Sequence, residues 1–369
     1  MIFLYFCTMK CFVFNPEHDI ALSVNSEFWT APHAGRQLRS DLGWLPAIWG
    51  EKGDVILVDD VESALSSLKK SGILYNKGIK IVDIHQKKEV SAIGRQVDEM
   101  CVWGWDKSIV SSLVRSGIPR TLMPSDEDLA FIRSISDRAT SSLLLEDIKK
   151  QMPRLRGESQ KVMSLEELEN KVEEWGRIVL KSPWSSSGRG IRYAIPDTLH
   201  QHLAWAGKVV RTQGHLMVEK MLEKVMDFGM EFSVGTDGIV RYEGLSLFKT
   251  VGGAYEGSVL ATEEEKMEIL TTYISETLLE EVYTFICLWM KNKLQGRYHG
   301  FFGVDMMVVK DSEQGLAIDP CVEINLRRTM GHVALALSPK ERGRQELMKI
   351  MYEGNNYHFR KYPDCELLY

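Results

Sequence analysis

The segment Val179-Leu-Lys-Ser-Pro-Trp-Ser-Ser-Ser-Gly-Arg-Gly-Ile191 delivers a lysine at the end of an apolar run, then a loop of small residues, then a second apolar run. Backbone N–H groups in a loop of Ser and Gly can close on an oxyanion, and Lys181 and Arg189 add positive charge beside it. Ser185, Ser186, Ser187, Gly188, Arg189 and Gly190 therefore form a candidate phosphate cradle. The GxxxxGK[ST] signature is missing, and the same composition also describes a flexible hairpin. Downstream, Phe301-Phe-Gly-Val-Asp-Met-Met-Val-Val309 sets one acid, Asp305, inside an apolar strand pattern. A lone carboxylate there is costly unless it is paired or binds a metal. In Cys321-Val-Glu-Ile-Asn-Leu-Arg-Arg328, Glu323 and Asn325 are two apart and so share one face of a strand. An Asp, a Glu and an Asn amide make a hard-oxygen set suited to magnesium beside a nucleotide. The competing reading pairs the acids with Arg327 or Arg328 as structural ion pairs.

Bulk composition sets limits on the rest. The chain has 369 residues, too many for one ordinary core, so several packed lobes with a cleft are expected. With 44% hydrophobic and 26% charged residues it reads as globular, and a net charge of −6 gives no field for nucleic acid or anionic membranes. Its six cysteines include no CxxC pair, which excludes a zinc knuckle or redox motif and suggests reduced thiols in a cytoplasmic protein. The opening Met1-Ile-Phe-Leu-Tyr-Phe-Cys7 lacks a preceding cation and a cleavage site, so it reads as non-targeting, with Met9 an alternative start.

The elements that must hold these residues follow from periodicity. In the first third, Cys11–Phe14, Asp54–Val58, Ile79–Ile84 and Met100–Trp103 are short apolar runs separated by helical stretches, the rhythm of an open α/β domain. Ligands gather at the carboxyl ends of such strands, which draws attention to Asn15, Glu17, His18 and Asp19 after the first one. Asn15 or Asp19 could equally start the next helix as a cap. Trp103-Gly-Trp105 ends a later strand and reads as core or as a ligand platform. A turn-rich break at Pro119–Ser125 is followed by helices over Asp126–Ser136 and Asp137–Gln151, then a loop, Pro153–Ser159. An α+β pattern comes next: helix Leu165–Trp175, strands Arg177–Lys181 and Ile191–Ala194, helix Thr198–Val210 and strand His215–Lys220. Strands Met230–Val234 and Ile239–Leu245, a glycine-rich loop Thr250–Ser258, one long helix Glu263–Leu294, and strands Gly300–Val309 and Leu316–Asn325 complete it. The Thr250–Ser258 loop reads as a mobile lid whose Tyr255 touches substrate, or as a plain connector.

The order of strand lysine, Gly-rich loop, acidic hinge, Asp and then Glu-x-Asn resembles the ATP-grasp superfamily over roughly Asp137 to Gly331. That resemblance implies an N-terminal open α/β domain (9–120), two nucleotide-binding lobes (121–215 and 216–345) and a C-terminal extension (346–369). It implies that Lys181 reaches the nucleotide and that Ser185–Gly190 close over its phosphates. In Met217-Val-Glu-Lys-Met-Leu222, Glu219 would accept from the adenine amino group while Lys220, Met221 and Leu222 read the base edge. Glu231 matches the acid that holds the ribose, although the long Glu223–Met230 segment leaves Asp227 as a substitute. Asp305, Glu323 and Asn325 match the ligands of magnesium, for which manganese can stand in. Lys249 sits where the family often supplies a phosphate-binding cation, and Arg138, in Asp137-Arg138, stands where a lysine is usual.

The activity so implied is ATP-dependent ligation. A small-molecule or peptide carboxylate becomes an acyl phosphate and an amine displaces phosphate, with Arg327 and Arg328 clamping the anion and Asn15, Glu17, His18 and Asp19 selecting substrate. A kinase acting on a hydroxyl and a nucleotide-binding protein without turnover are the alternatives. Neither oligomeric state nor the identity of the substrates is legible.

Overall fold

The computed structural model describes residues 8–75, 78–185, 188–252 and 254–363. The chain forms two compact units, one containing the residues up to Ala130 together with Lys349–Lys361, the other Phe131–Met348. No helix among the described residues is long and apolar enough to cross a membrane.

In the first unit, β1 (Lys10–Val13), β2 (Val55–Val58), β3 (Lys80–Asp83) and β4 (Glu99–Val102) form a parallel sheet in the order β3-β2-β1-β4. All four residues of β2 are buried, as expected for a strand covered on both faces. The cover comes from α1 (His18–Val24), α2 (His33–Leu42), α3 (Val61–Ser71), α4 (Lys87–Gly94) and α5 (Lys107–Ser116). Asp60 and Asp106 cap α3 and α5 by accepting from Ser63 N and Ile109 N. Val13, Leu57, Val82, Val90, Ile109 and Leu113 meet in one core.

Chain α6 (Asp126–Ile135) leads into the second unit, which is built on two antiparallel sheets. Between α7 (Arg138–Gln151) and the long strands come β5 (Ser159–Val162), α8 (Leu165–Trp175), β6 (Ile178–Lys181), β7 (Ile191–Ala194), α9 (Leu203–Gln213) and β8 (Leu216–Lys220). These strands pair in the order β5-β8-β6-β7, and Leu168, Val172, Ile178, Leu180, Leu216 and Val218 seal them against α8 and α9. The larger sheet uses β9 (Lys224–Val234), β10 (Val240–Val251), β11 (Ala254–Leu260), β12 (Gly300–Asp311), β13 (Gly315–Asn325) and β14 (Glu346–Glu353), in the order β13-β12-β9-β10-β11-β14. Stacked rings of Phe232 and Phe302, 4.8 Å apart, lock β9 to β12. Helices α10 (Glu263–Thr271), α11 (Glu276–Leu294) and α12 (Met330–Leu337) accompany this sheet.

The mixed α/β class matches the sequence reading, with several local corrections. The expected long helix divides into α10 and α11, because Ser275 caps a new helix by accepting from Leu278 N. The helix expected over Thr198–Val210 starts as a 3-10 turn, Pro196–Gln201, and α9 runs on to Gln213. The Thr250–Ser258 segment is a β-hairpin rather than a loose lid: β10 and β11 pair up to Val251 and Ala254, and Gly252 turns between them at φ 59°. Gly253 lies outside the described residues. Strand β9 opens at Lys224, six residues before the expected Met230, and β5, α12 and β14 were not expected at all.

From β14 the chain turns at Asn355 into β15 (Asn356–Tyr362), and this stretch belongs to the first unit. The carboxylate of Asp41, 3% exposed, accepts from Tyr357 N (2.7 Å) and Asn356 Nδ2 (2.9 Å), and Trp44 packs edge-on against Phe359. Replacing Asp41 by Ala leaves the Tyr357 N–H without an acceptor and should cost the first unit about 2–3 kcal/mol. Denaturant unfolding and proteolysis of Lys349–Lys361 measure this. Wild-type resistance in Asp41→Ala would show that the aromatic contact alone retains the segment.

Candidate active site

Lys181 ends β6 and is 4% exposed, so its ammonium needs partners. Its Nζ lies 2.5 Å from Glu219 Oε2 and donates to Val322 O at 3.3 Å. The lysine on the smaller sheet thus meets both its neighbour strand β8 and strand β13 of the larger sheet. Beyond it, Ser182 N bonds Gly190 O and Ile191 N bonds Gly188 O, closing the neck of the serine–glycine loop. A Cβ at Gly190 would fall 2.2 Å from Ser185 Oγ, so only glycine fits there. Arg189 is exposed on the loop, while Ser186 and Ser187 lie outside the described residues.

Arg138 is the first residue of α7. Asp137 caps that helix through Ala139 N (2.9 Å) and also holds His215 Nε2 at 3.1 Å, so the arginine leaves a fixed helix start. The guanidinium, 5% exposed, donates from NH1 to Ser182 O (2.5 Å) and Ser185 Oγ (2.7 Å). From NH2 it reaches Glu323 Oε1 at 2.7 Å. A lysine has one donor centre and could not serve the loop neck and β13 together, which gives the Arg138 departure from the lysine pattern a physical sense. Its Nε finds no partner among the described residues.

Asp305 on β12 and Glu323 on β13 are direct cross-strand partners. Asn325, two residues on, donates from Nδ2 to Asp305 Oδ2 at 3.0 Å, while Arg327 NH2 donates to Asn325 Oδ1 at 2.8 Å. Burial first, then the facing carboxylates of Glu323 and Glu231, push Asp305 up to about 8; Arg327 and the Asn325 bond oppose this. Two facing acids that cannot comfortably ionise together form a donor set that a divalent cation completes. Glu323 is paired with Arg138, and Asp305, Glu323 and Asn325 bring their oxygens together on the facing strands, where they could hold a divalent cation.

Glu231 is held inside the fold. It is 2% exposed, accepts from Thr329 Oγ1 at 2.7 Å, and lies 3.0 Å from His332 Nδ1, whose Nε2 is 3.1 Å from Phe232 O. A Cβ at Gly331 would fall 1.8 Å from Glu231 Oε1 and one at Gly303 2.5 Å from Oε2. The carboxylate is enclosed by these backbones and ties the chain after β13 to β9. Asp227 is half-buried on the same strand, and its Oδ2 accepts from Lys224 Nζ, Thr250 N and Thr250 Oγ1 at 2.6, 3.1 and 2.7 Å. Its Oδ1 takes no partner among the described residues.

The rest of the sequence-derived set is placed as follows. Glu219 and Lys220 end β8, Lys220 is exposed and pairs with Glu158, Met221 N bonds Arg177 O, and Leu222 is half-buried. Lys249 is half-buried on β10, and Tyr255 on β11 shares a 2.8 Å bond with Ser258 Oγ. Arg328 stacks its guanidinium 3.6 Å over the Phe301 ring. In the first unit Asn15 and His18 are both 1% exposed and neither caps α1; Asn15 bonds Gly104 O and His18 contacts Asp106. Trp103 is core, edge-on to Phe14. Sequence reasoning missed Thr329, His332, Ser141, whose Oγ accepts from Ile324 N, and Asp319. Asp319 is 6% exposed and pushed up to about 7 by burial and by Glu219; it lies four residues before Glu323 along β13, where stepping back along the strand would have found it.

No family model and no curated protein matches this sequence. Its similarity is to solved structures. Biotin carboxylase from Campylobacter jejuni, in a β,γ-ATP complex, superposes with a TM-score of 0.53 at 13% identity, over 92% of this chain and 75% of that one. N5-carboxyaminoimidazole synthetase from Staphylococcus aureus with ADP gives 0.51 at 13% identity, over 94% and 83%. The biotin carboxylase domain of Hydrogenobacter thermophilus 2-oxoglutarate carboxylase, with MgADP and bicarbonate, gives 0.51 at 13% identity, over 92% and 74%. The chain shares the fold of these proteins, the ATP-grasp fold.

Proposed function

We propose that the chain is an ATP- and magnesium-dependent ligase that converts a carboxylate to an acyl phosphate and joins it to an amine, with release of ADP and phosphate. The observation that carries this reading is the Arg138 guanidinium, which spans the neck of the serine–glycine loop and the Asp305–Glu323–Asn325 set. A phosphate cradle and a divalent-cation site are thereby held side by side. The fold neighbours support it: their structures hold ADP, an ATP analogue, and MgADP with bicarbonate.

In this reading the loop Ser185–Gly190 wraps the triphosphate, with Lys181, Arg138, Arg189 and Lys249 neutralising its charge. Lys181 exchanges part of its contact with Glu219 for the nucleotide. Glu219 and the backbone of Lys220, Met221 and Leu222 then receive the adenine edge, and Asp227 the ribose hydroxyls. Asp305, Glu323 and Asn325 would hold magnesium, which supplies charge neutralisation at the transferring phosphoryl group; manganese has the same ligand preference. Arg327, fixed by Asn325, meets the substrate carboxylate or the acyl phosphate. Arg328 and Tyr255 are further substrate contacts. No protein nucleophile is required, because positioning and charge neutralisation carry the reaction.

The carboxylate and amine remain of small-molecule or peptide type. Cys11, Cys101, Cys287 and Cys321 are free thiols, in keeping with a cytoplasmic setting. Residues 121–215 and 216–345 are the two nucleotide-binding lobes of this reading.

Incubation with ATP, magnesium, a panel of carboxylates and hydroxylamine should yield a hydroxamate together with ADP. A stable phosphorylated alcohol formed from a hydroxyl substrate, without hydroxamate from any carboxylate, would assign the alternative kinase activity. The ribose assignment separates by variant: Asp227→Asn, which keeps an acceptor for Thr250, should weaken ATP binding about tenfold with little change in melting, from the loss of a hydrogen bond to a charged group. Glu231→Gln should chiefly lower thermal stability, because Thr329 and His332 lose their common charged partner. The reverse pattern would restore the ribose to Glu231.

A further inference from the structure

The sheet of the first unit changes direction once. Strands β2 and β3 extend to one side of β1, and the chain then crosses to set β4 on the other side, so the switch point lies between β1 and β4. Parallel sheets open a crevice outside the carboxyl ends of the strands at that point. The chain leaving β1 supplies Asn15, Glu17 and His18 there, and the chain leaving β4 supplies Gly104 and Asp106.

These residues form a hydrogen-bonded set that stops short of completion. Asn15 Nδ2 donates to Gly104 O (2.8 Å) and Asp106 Oδ2 (3.3 Å), while Gly104 N donates to Asn15 Oδ1 (3.3 Å). Asp106 Oδ1 is taken by the α5 cap, and its Oδ2 lies 3.2 Å from His18 Nδ1. A carboxylate oxygen accepts, so His18 Nδ1 is the donor of this contact and Nε2 is the ring nitrogen it leaves unused. That Nε2 is buried and has no partner among the described residues, and neither has Glu17 Oε2. Glu17 Oε1 is held by Arg39 at 3.1 Å, and Arg39 is shared with Asp59 at 2.6 Å. Glycine at position 104 is required here, since a Cβ would fall 2.5 Å from the His18 ring.

Buried acceptors without donors are costly, and natural proteins rarely keep two together on adjacent residues without a use. Among the contacts here, Glu17 and Asp59 share the guanidinium of Arg39, and the Asp106 carboxylate lies against His18. What completes the set is a group rich in N–H donors that brings positive charge. We propose that the crevice between β1 and β4 is a binding site for a primary ammonium group, with Glu17 Oε2 and His18 Nε2 accepting from it. An amine recognised there fits the nucleophile class of the proposed ligation, but the site lies wholly within the first unit and stands or falls separately from nucleotide binding.

The test is an NMR titration of the full chain, labelled with 15N in the histidine rings, using methylammonium as probe and acetate as control. Methylammonium should move the His18 Nε2 resonance in the direction of hydrogen-bond acceptance, and acetate should leave it in place. Glu17→Gln removes the charge while keeping the shape, and it should weaken methylammonium at least about tenfold without changing ATP binding. His18→Gln is the second variant, read by calorimetry with the same probe. A resonance that does not move with methylammonium, or that moves equally with acetate, overturns the proposal and assigns the two orphan acceptors to buried water. Equal methylammonium affinity in both variants overturns it as well.

Discussion

The guanidinium of Arg138 is the point at which the second unit is held to its task. It is buried, it is fixed by a helix whose cap residue is anchored on His215, and it donates to the neck of the serine–glycine loop and to Glu323. One partner is the loop between β6 and β7 of the smaller sheet, the other a side chain on β13 of the larger. Loss of this group would leave a half-buried carboxylate and a buried carbonyl without their donor, so loop and acid pair would lose register together. The planar fork of arginine is what makes one side chain sufficient.

The second constraint is repulsion. Asp305 and Glu323 face each other across β12 and β13, and Asp305 is pushed up to about 8 as a result of burial and of those neighbouring charges. Arg138 takes one oxygen of Glu323, Asn325 donates to Asp305, and Arg327 donates to Asn325, so the two acids are held facing each other. A structure tuned only for stability would replace such a pair with apolar residues. Retaining it has a physical rationale when a divalent cation arrives with its nucleotide.

Much of this was legible in the sequence because it rests on short-range patterns. The strand alternation that singled out Asp305, and the two-residue spacing of Glu323 and Asn325, correctly anticipated one shared face, since side-chain alternation in a strand is fixed by backbone geometry. The strand runs of the first unit were found within a residue or so for the same reason. What escaped depends on long-range contacts. That Glu231 turns inward to Thr329 and His332 is a consequence of Gly303 and Gly331 lying against it, and no local pattern announces that. The tie from Arg138 to Glu323 spans 185 residues of sequence, and the return of Lys349–Lys361 to the first unit relies on Asp41 far upstream. The break between α10 and α11 was readable in Ser275, but the apolar period of the two helices concealed it.

The central claim is that the Asp305–Glu323–Asn325 set and the Arg138-braced loop bind one magnesium nucleotide. Calorimetric titration of ATP, with and without magnesium, on wild type and on a Glu323→Ala, Asn325→Ala double variant tests this most directly. Tight binding by wild type that requires magnesium and is lost in the folded variant is the predicted result. Absence of nucleotide binding by folded wild-type protein, or binding that neither magnesium nor the double substitution affects, would contradict it.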